Sequence, residues 1–268
     1  MKIAVIVTTY NRPDALAAVL DGFLFQSDRD FELIVADDGS REETRMLVEK
    51  YRQKALFPLR HVWQEDKGFR AARIRNLATA STESEYIVFT DGDCIPAKNF
   101  VSSHRKLAEP GCFLSGNRVL LSESFTEKVL QERIPVHEWG MGKWIGARIS
   151  GGINRILPLV SLPDLLRKIS PEKWQGAKTC NLSAWRKDIF AVNGFDESYE
   201  GWGLEDSDLV IRLLHSGIRH KSARFSSPVF HLWHRENDRG FLEENRIKLE
   251  AILASSRKMA TSGVDQHS

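Results

Sequence analysis

Short apolar segments alternate with helical segments through about the first 110 residues, and this alternation restricts the fold more than any other feature. Residues 2–8, 31–36, 59–63 and 86–90 are strand-like, and the segments between them carry apolar side chains at helical spacing. Strands that alternate with helices form a mostly parallel sheet with helices packed against it. We therefore predict an α/β fold with a Rossmann-like, mostly parallel sheet flanked by helices.

The last of these predicted strands runs directly into two acidic residues. Residues 86–90 are YIVFT, and Asp91, Gly92 and Asp93 follow. Ligands of open α/β sheets bind at the carboxyl ends of strands, and two carboxylates this close repel each other unless a cation lies between them. Oxygen ligands suit Mg²⁺ or Mn²⁺. The alternative is a plain strand-to-turn junction, because Asp-Gly is a common turn pair.

Composition restricts the class of protein further. With 268 residues, a net charge of +2 and 28% charged residues, the chain has the size and balance of a globular protein. No apolar run reaches the roughly 18 residues that cross a bilayer, and the apolar start at residues 1–7 is too short for a signal peptide. The three cysteines form no CxxC pair, so reduced thiols in a cytoplasmic protein are expected, with Cys94 as a small buried residue.

The second half is less regular than the first. A helix is predicted from Asp208 to His215, with Gly217 after its end. The preceding residues 201–206 are GWGLED, so Glu205 and Asp206 lie at the helix N-terminus, where the helix dipole favours carboxylates. The other predictions are a strand at 112–121, an irregular stretch at 122–175, a helix at 239–257 and a polar tail at 259–268.

Four motifs in this order resemble those of family-2 glycosyltransferases of the GT-A fold. They are VTTYNR at 7–12, VADDGS at 35–40, DGD at 91–93 and GWGLED at 201–206. The last is similar to the GWGxED acceptor motif of galactosyl- and N-acetylhexosaminyltransferases, including the chondroitin-polymerase type. The resemblance covers most of the chain and is weakest at 122–175. It implies one GT-A domain over 1–268, with a nucleotide-binding half at about 1–110, an acceptor and catalytic half at about 111–240, and a C-terminal helix and tail at 241–268.

The resemblance implies a UDP-sugar donor site at the first three motifs. Asp38 would accept a hydrogen bond from a uracil ring nitrogen, with Thr8 and Arg12 nearby. Arg75 would hold the diphosphate or steady the DGD carboxylates, and Arg73 is a weaker candidate for the same role. A plain turn is the alternative for Asp38, and exposed helix charge is the alternative for the two α-helical arginines.

The remaining predicted residues would bind the metal, the acceptor or the donor sugar. Asp93 would bind Mn²⁺ (or Mg²⁺) directly, and Asp91 would contact the ribose or the metal's water shell. A histidine beyond GWGxED is a metal ligand in related enzymes. We favour His231 for this role because it directly follows the strand-like residues 228–230, with His234 as the second candidate. Asp206 would be the general base, Glu205 would bind sugar hydroxyls, and Trp202 is assigned to donor binding.

These roles imply a metal-dependent, inverting glycosyltransferase. It would move a hexose or N-acetylhexosamine from a UDP-sugar to a hydroxyl of a glycan or lipid-linked glycan, in bacterial surface polysaccharide or lipopolysaccharide synthesis. No nucleic-acid partner is implied. The alternatives are a sugar nucleotidyltransferase, which usually has a glycine-rich loop where this chain has TTYNRP, and a nucleotide-sugar-binding domain without activity, against which the intact acidic motifs argue.

Positive charge is concentrated at residues 137–187, which hold nine Lys or Arg, three Asp or Glu and four tryptophans. This composition predicts a mobile flap on the acceptor side. Basic residues there would attract an anionic or lipid-linked acceptor, or contact the inner membrane peripherally. An ordinary solvated face is the alternative. If the flap binds the acceptor, charge reversal at Arg148, Arg155, Arg167 and Lys168 should weaken acceptor use but spare UDP-sugar hydrolysis.

Overall fold

The computed structural model describes residues 1–161, 167, 170–235 and 238–267. The first half has the predicted alternation of strands and helices, and the ends of the strands agree with the prediction to within one residue. The strands are β1 (Ile3–Thr9), β2 (Glu32–Asp37), β3 (Leu59–Trp63) and β4 (Tyr86–Asp91). The helices between them are α1 (Pro13–Leu24), α2 (Glu42–Arg52) and α3 (Ala71–Ala80).

Seven strands form the main sheet, in the order β3-β2-β1-β4-β8-β6-β9. The first four are parallel to one another. Three strands from the second half complete the sheet: β6 (Cys112–Ser115), β8 (Leu182–Trp185) and β9 (Arg219–Ser222). Strand β8 runs antiparallel to both of its neighbours, and β9 is parallel to β6. The predicted α/β class and mostly parallel sheet are confirmed.

Apolar residues on both faces of the sheet hold it between two layers of helices. Along β1, Ile3, Val5 and Val7 belong to one buried cluster, whereas Ala4 and Ile6 belong to the other. This division follows from the two-residue repeat of a strand. Helix α1 contributes to the first cluster and α3 to the second. A sheet buried on both faces requires nearly continuous apolar strands, which explains why these segments were recognisable in the sequence.

The chain also forms a small sheet of three short strands, two of which come from the second half. They are β5 (Cys94–Pro96), β7 (Arg118–Leu120) and β10 (Val229–His231), in the order β5-β10-β7. The predicted single strand at 112–121 is therefore wrong, because β6 and β7 belong to different sheets. The remaining helices are α4 (Phe100–Leu107), α5 (Glu123–Gln131), α6 (Met141–Ile149), α7 (Arg186–Ala191), α8 (Glu205–His215) and α9 (Leu242–Leu253).

Helices α5 and α6 contradict the prediction that residues 122–175 are irregular. Ser122 caps α5 by accepting a hydrogen bond from the Phe125 backbone amide at 3.3 Å. In α6, Trp144 and Ala147 are buried against the core. A glycine inside a helix costs about 1 kcal/mol relative to alanine, and the burial of a tryptophan outweighs that cost. The glycines of this stretch therefore misled the prediction.

The C-terminal segment is ordered against the sheet's helical layer, although the sequence predicted only a polar tail. The Val264 amide donates to the Asn193 carbonyl at 3.1 Å, and the Val264 side chain is buried. His267 contacts Glu197 at 2.6 Å. Helix α9 is also shorter than predicted. Among the described residues, no helix is both long enough and apolar enough to cross a membrane.

One buried histidine makes a testable contribution to stability. In α4, the His104 ring lies 2.8 Å from Ser183 Oγ and 3.0 Å from Asn181 Oδ1, and burial lowers its pKa to about 4 from 6.5. Between pH 6.5 and 4 the unfolded chain takes up a proton that the folded protein does not. The free energy of unfolding should therefore decrease as the pH falls through this range, by up to about 1.4 kcal/mol per pH unit for this group.

Urea unfolding at several pH values tests this contribution. We expect His104→Gln to be less stable at pH 7 but to lose stability less steeply as the pH falls from 6.5 to 4. His220, whose pKa burial also lowers to about 4, remains in the variant and keeps part of the slope. Identical pH slopes for the wild type and the variant would contradict a neutral His104 in the fold.

Candidate active site

The carboxyl ends of three neighbouring parallel strands collect polar side chains at one edge of the main sheet. Thr8 in β1 pairs in register with Asp91 in β4, and Thr9 pairs with Asp37 in β2. Because parallel strands end at the same edge, the first three sequence motifs are brought together there. The Asp37 carboxylate accepts a hydrogen bond from the Ser40 amide at 2.7 Å and contacts His61 at 2.9 Å, so it holds the following loop in shape.

Asp38 lies just beyond β2 in a buried corner of this edge. Its carboxylate accepts hydrogen bonds from the Arg70 backbone amide at 2.8 Å and from the Gln64 side-chain amide. Burial raises the pKa of Asp38, and these hydrogen bonds act in the opposite direction. The Gln64 amide oxygen in turn accepts from Arg73 at 2.6 Å. An open pocket of about 320 Å³, lined by Trp63, Gln64, Arg70 and Arg73 among others, adjoins this chain of contacts.

Gln64 is a site residue that the sequence analysis missed. No motif marks it, although a polar residue directly after β3 also lies at the carboxyl edge of the sheet. Its side-chain NH₂ group donates to one carboxylate oxygen of Asp38, and its side-chain oxygen accepts a hydrogen bond from Arg73. Arg73 therefore lies at the Asp38 corner and not beside the acidic pair of β4, where the sequence analysis had considered it.

A buried arginine joins the two halves of the chain. The Arg75 guanidinium donates to Thr8 Oγ1 at 3.1 Å, to Glu205 at 2.9 Å and to Asp91 at 3.3 Å. Burial opposes its charge, but the adjacent Glu205 and Asp91 carboxylates raise the pKa of Arg75 above its usual range. Of its two predicted roles, the geometry therefore matches the one in which Arg75 steadies the DGD motif.

Four carboxylates surround this arginine. Burial raises the pKa of Asp91 to about 6; Arg75 opposes that shift, whereas Asp93, Glu205 and Asp206 add to it. Burial and the neighbouring Asp206 likewise raise the pKa of Glu205. Arg75 and Lys178, which lies 3.3 Å from Asp206, bring two positive charges to four carboxylates. A divalent cation would balance the rest, and the donor set beside these acids fits one.

That donor set forms where β10 pairs with β5. His231 is opposite Cys94 in the antiparallel register, and the Leu232 amide donates to the Asp93 carbonyl at 2.8 Å. His231 Nε2 lies 3.7 Å from one carboxylate oxygen of Asp93, and His234 Nε2 lies 3.3 Å from the other. The structure thus brings both predicted histidines to Asp93, and together their ring nitrogens and its carboxylate oxygens are atoms that could hold a divalent cation.

Cys94 also lies at this point. Its sulfur, an Asp93 oxygen and a His231 nitrogen are all within 4.8 Å of one another. Burial raises the pKa of the Cys94 thiol well above its usual range, so it remains neutral and donates to Asp93 at 3.4 Å. Thiolate ligands suit softer metals than Mn²⁺ or Mg²⁺, and Cys94 is a small buried residue, as predicted.

The GWGLED segment positions the second pair of acids. Gly201, Gly203 and Leu204 adopt positive φ angles of 68°, 107° and 77°. A Cβ atom at position 201 would lie 2.7 Å from the Phe241 ring. Glycine is therefore required there both by the positive φ angle and by this close contact. Asn245 in α9 donates to the Gly203 carbonyl at 3.1 Å and fixes the turn. Helix α8 then begins at Glu205, three residues before the predicted start at Asp208, so Glu205 and Asp206 lie in its first turn.

Asp206 is buried and has two described polar partners. Lys178 Nζ lies 3.3 Å from its carboxylate, and the Ser207 hydroxyl donates to the same oxygen at 3.2 Å. Lys178 was counted in the basic stretch but was not singled out by the sequence analysis. It comes from a turn before β8 and reaches α8 only through the fold, so no local pattern in the sequence identifies it.

Two predicted site residues lie at the margin of this cluster. Arg12 forms its ion pair with Asp14, at 3.0 Å, at the start of α1 and not with an acid of the strand ends. Trp202 is 38% exposed, with the Arg239 guanidinium over its ring at 5.4 Å from the ring centre.

Parts of the basic stretch border the cleft. Lys178 contacts Asp206, and the Trp144 ring stacks at 4.2 Å on Phe230, the residue before His231. Arg167 does not suit the predicted attraction of an acceptor, because it is buried and donates to the backbone carbonyls of Ser222 and Arg224 at 3.2 and 2.7 Å. Lys168 lies outside the described residues.

The sheet order and the cluster of acids at its carboxyl edge define the GT-A class of glycosyltransferase folds. Solved structures of similar fold include a Staphylococcus aureus TarS fragment in complex with UDP, with a TM-score of 0.68 and 16% identity over 100% of this chain and 68% of that one. Another is a mannosyltransferase from Pyrobaculum calidifontis in complex with GDP-Man and Mn²⁺, with a TM-score of 0.58 and 20% identity over 95% and 62% of the chains. At these identities the likeness shows the fold alone.

The chain belongs to glycosyl transferase family 2, whose sequence pattern matches residues 4–158. The pattern described as the N-terminal domain of galactosyltransferase matches residues 168–235. Similar proteins include a validoxylamine A glucosyltransferase of Streptomyces hygroscopicus, 29% identical over 81% of this chain, and a chondroitin synthase of Escherichia coli, 26% identical over 82%. This chain spans 52% of the first relative and 33% of the second. The predicted family is confirmed.

Proposed function

We propose that the protein is a metal-dependent, inverting glycosyltransferase that moves a hexose or N-acetylhexosamine from a UDP-sugar to a hydroxyl of a glycan or lipid-linked glycan. The observation that carries the proposal is the double contact of Arg75 with Asp91 of the DGD motif and Glu205 of the GWGLED motif. These motifs lie more than 100 residues apart, yet one side chain joins them in a single cleft. Both halves therefore act as one catalytic domain.

The donor nucleotide would occupy the strand ends. Asp38, fixed by Gln64 and the Arg70 amide, would accept a hydrogen bond from the uracil ring. Thr8 and Asp91 lie next along the edge, towards the ribose and the diphosphate. TarS, a protein of similar fold, was solved in complex with UDP and with UDP-GlcNAc, which accords with the proposed uridine donor.

Asp93 would hold the divalent cation together with His231 and His234. When bound, the cation offsets the negative charge that builds on the departing diphosphate. The oxygen and nitrogen donors fit Mn²⁺, and a mannosyltransferase of similar fold was solved with that ion. Arg75 would hold the Asp91 side chain in position while negative charge builds on the diphosphate. Its guanidinium can do so because it is itself fixed by hydrogen bonds to Thr8 and Glu205.

Asp206 would act as the general base. A carboxylate oxygen of Asp206 takes the proton of the acceptor hydroxyl while the hydroxyl oxygen of the acceptor forms a bond to the anomeric carbon. The bond from the anomeric carbon to the diphosphate breaks and UDP leaves with the electron pair. Lys178 Nζ lies 3.3 Å from the carboxylate and helps to hold it in position. Because the acceptor attacks opposite the leaving group in one displacement, the configuration inverts.

The relatives support this reaction class over the two alternatives. Those reported above are named as a glucosyltransferase and a chondroitin synthase, and neither name describes a nucleotidyltransferase. Both acidic pairs are intact and joined by Arg75, which favours catalysis over binding alone. A role in bacterial polysaccharide or lipopolysaccharide synthesis accords with the chondroitin synthase likeness.

A panel of UDP-sugars tests the proposed activity. The protein would be incubated with each UDP-sugar and Mn²⁺, and the release of UDP measured with and without a chelator. We expect release from at least one UDP-hexose or UDP-N-acetylhexosamine, and no release with the chelator. Pyrophosphate production from UTP and a sugar phosphate, without UDP release, would assign the protein to the nucleotidyltransferases.

The two histidines beside Asp93 should differ in their effect on the metal requirement. We expect His231→Ala to raise the Mn²⁺ concentration for half-maximal activity more than His234→Ala does. The strand β10 fixes His231 in register with Cys94, whereas His234 lies beyond the strand and is more exposed. Titration of Mn²⁺ against UDP release in both variants measures the order. The reverse order would make His234 the principal ligand.

A further inference from the structure

Helix α6 leaves an apolar face uncovered. Trp144 and Ala147 point into the core, whereas Met141, Ile145 and Ile149 recur every four residues on another face of the helix. These three side chains, here called the α6 stripe, are 44%, 46% and 82% exposed. A helix that is apolar on two faces has a second partner besides its own core.

The charge around the stripe identifies that partner. Residues 140–161 contain Lys143, Arg148 and Arg155 and hold no acidic residue. Arg148 and Arg155 are exposed, and the chain after α6 exposes the further apolar residues Leu157 and Val160. Apolar side chains flanked by basic ones are the composition of helices that lie in the head-group region of anionic bilayers.

The stripe lies close to the candidate active site. Trp144, on the inner face of α6, stacks on Phe230 of β10, and β10 also carries His231. An α-helix with its side chains is about 10 Å across. A bilayer in contact with the outer face of α6 would therefore lie about one helix diameter from the strand that bears the metal-ligand histidine.

We propose that the α6 stripe, with Arg148 and Arg155, is a docking surface for an anionic membrane. The apolar side chains enter the boundary between head groups and acyl chains, and the arginines contact lipid phosphates. This function goes beyond sugar transfer and does not depend on it. A second copy of the chain, the other candidate occupant, would not use the surplus of positive charge.

Cosedimentation with vesicles tests the proposal. The whole protein should bind vesicles of phosphatidylcholine and phosphatidylglycerol in equal parts, and bind phosphatidylcholine vesicles much less. The double variant Ile145→Ser with Ile149→Ser should bind roughly tenfold to hundredfold more weakly, because it removes two apolar contacts. Arg148→Gln with Arg155→Gln should weaken binding roughly tenfold and reduce its salt dependence.

A matched control uses exposed apolar residues on other helices. Met46 in α2 and Ile247 in α9 are 58% and 60% exposed, so Met46→Ser with Ile247→Ser should bind vesicles as the wild type does. Isoleucine and serine have similar helix propensities, and far-ultraviolet circular dichroism checks that α6 is retained. The membrane surface is ruled out if the wild type fails to bind anionic vesicles, or if the stripe variant binds equally well. A dimer that dissociates in the stripe variant would assign the surface to a second copy.

Discussion

Replacing Asp206 by asparagine should leave UDP-sugar binding nearly intact and lower the rate of sugar transfer on the order of 10²- to 10⁴-fold or more. The amide has the shape of the carboxylate, so the Ser207 hydroxyl still has an oxygen to donate to. The side-chain amide of the variant, however, cannot take the proton from the acceptor hydroxyl. Donor affinity by calorimetry and turnover by UDP release, measured on the same preparation, separate binding from catalysis.

Asp188→Asn is a matched control for this variant. Asp188 is also a buried aspartate in the first turn of a helix, α7. That helix follows Trp185, which pairs with Tyr86 at the amino end of β4, so Asp188 lies near the opposite edge of the sheet. The control should turn over normally. If Asp206→Asn instead weakens donor binding with normal turnover, Asp206 belongs to the donor site and another group is the base.

Replacing Asp93 by alanine should abolish metal-dependent activity while the fold remains intact. The Asp93 side chain is 20% exposed, and its removal relieves repulsion with Asp91. The variant loses the carboxylate to which both histidines are directed. UDP release should fall to the level seen when the wild type is treated with a chelator, and thermal unfolding should show a folded protein. Near-normal turnover of the variant with Mn²⁺, together with a wild type insensitive to the chelator, would contradict the metal assignment.

The first half of the fold was predictable because its signals are local. Strand β4 is apolar at each position from Tyr86 to Phe89, which only a strand buried on both faces requires. The acids after β2 and β4 follow these strands directly, so their meeting at one sheet edge follows from parallel pairing. The turn at Gly201 and Gly203 was likewise visible as a motif, since positive φ angles select glycine.

The parts that escaped prediction depend on contacts between distant segments. Strand β5 has three residues, too few to show a pattern, and its pairing with β10 brings His231 to Asp93. Gln64 and Lys178 are recognised as site residues only by their contacts with Asp38 and Asp206, which the fold creates. Helix α6 was hidden by its glycines, because its stability comes from packing Trp144 on Phe230 and not from local propensity.

Calorimetric titration with UDP tests the central claim most directly, because it requires neither the donor sugar nor the acceptor to be known. The account predicts that UDP binds in the presence of Mn²⁺, that the chelator weakens this binding markedly, and that Asp93→Ala binds equally weakly with or without Mn²⁺. UDP binding of the same affinity in all these conditions, or no binding in any of them, would contradict a metal-dependent uridine-nucleotide site at the carboxyl edge of this sheet.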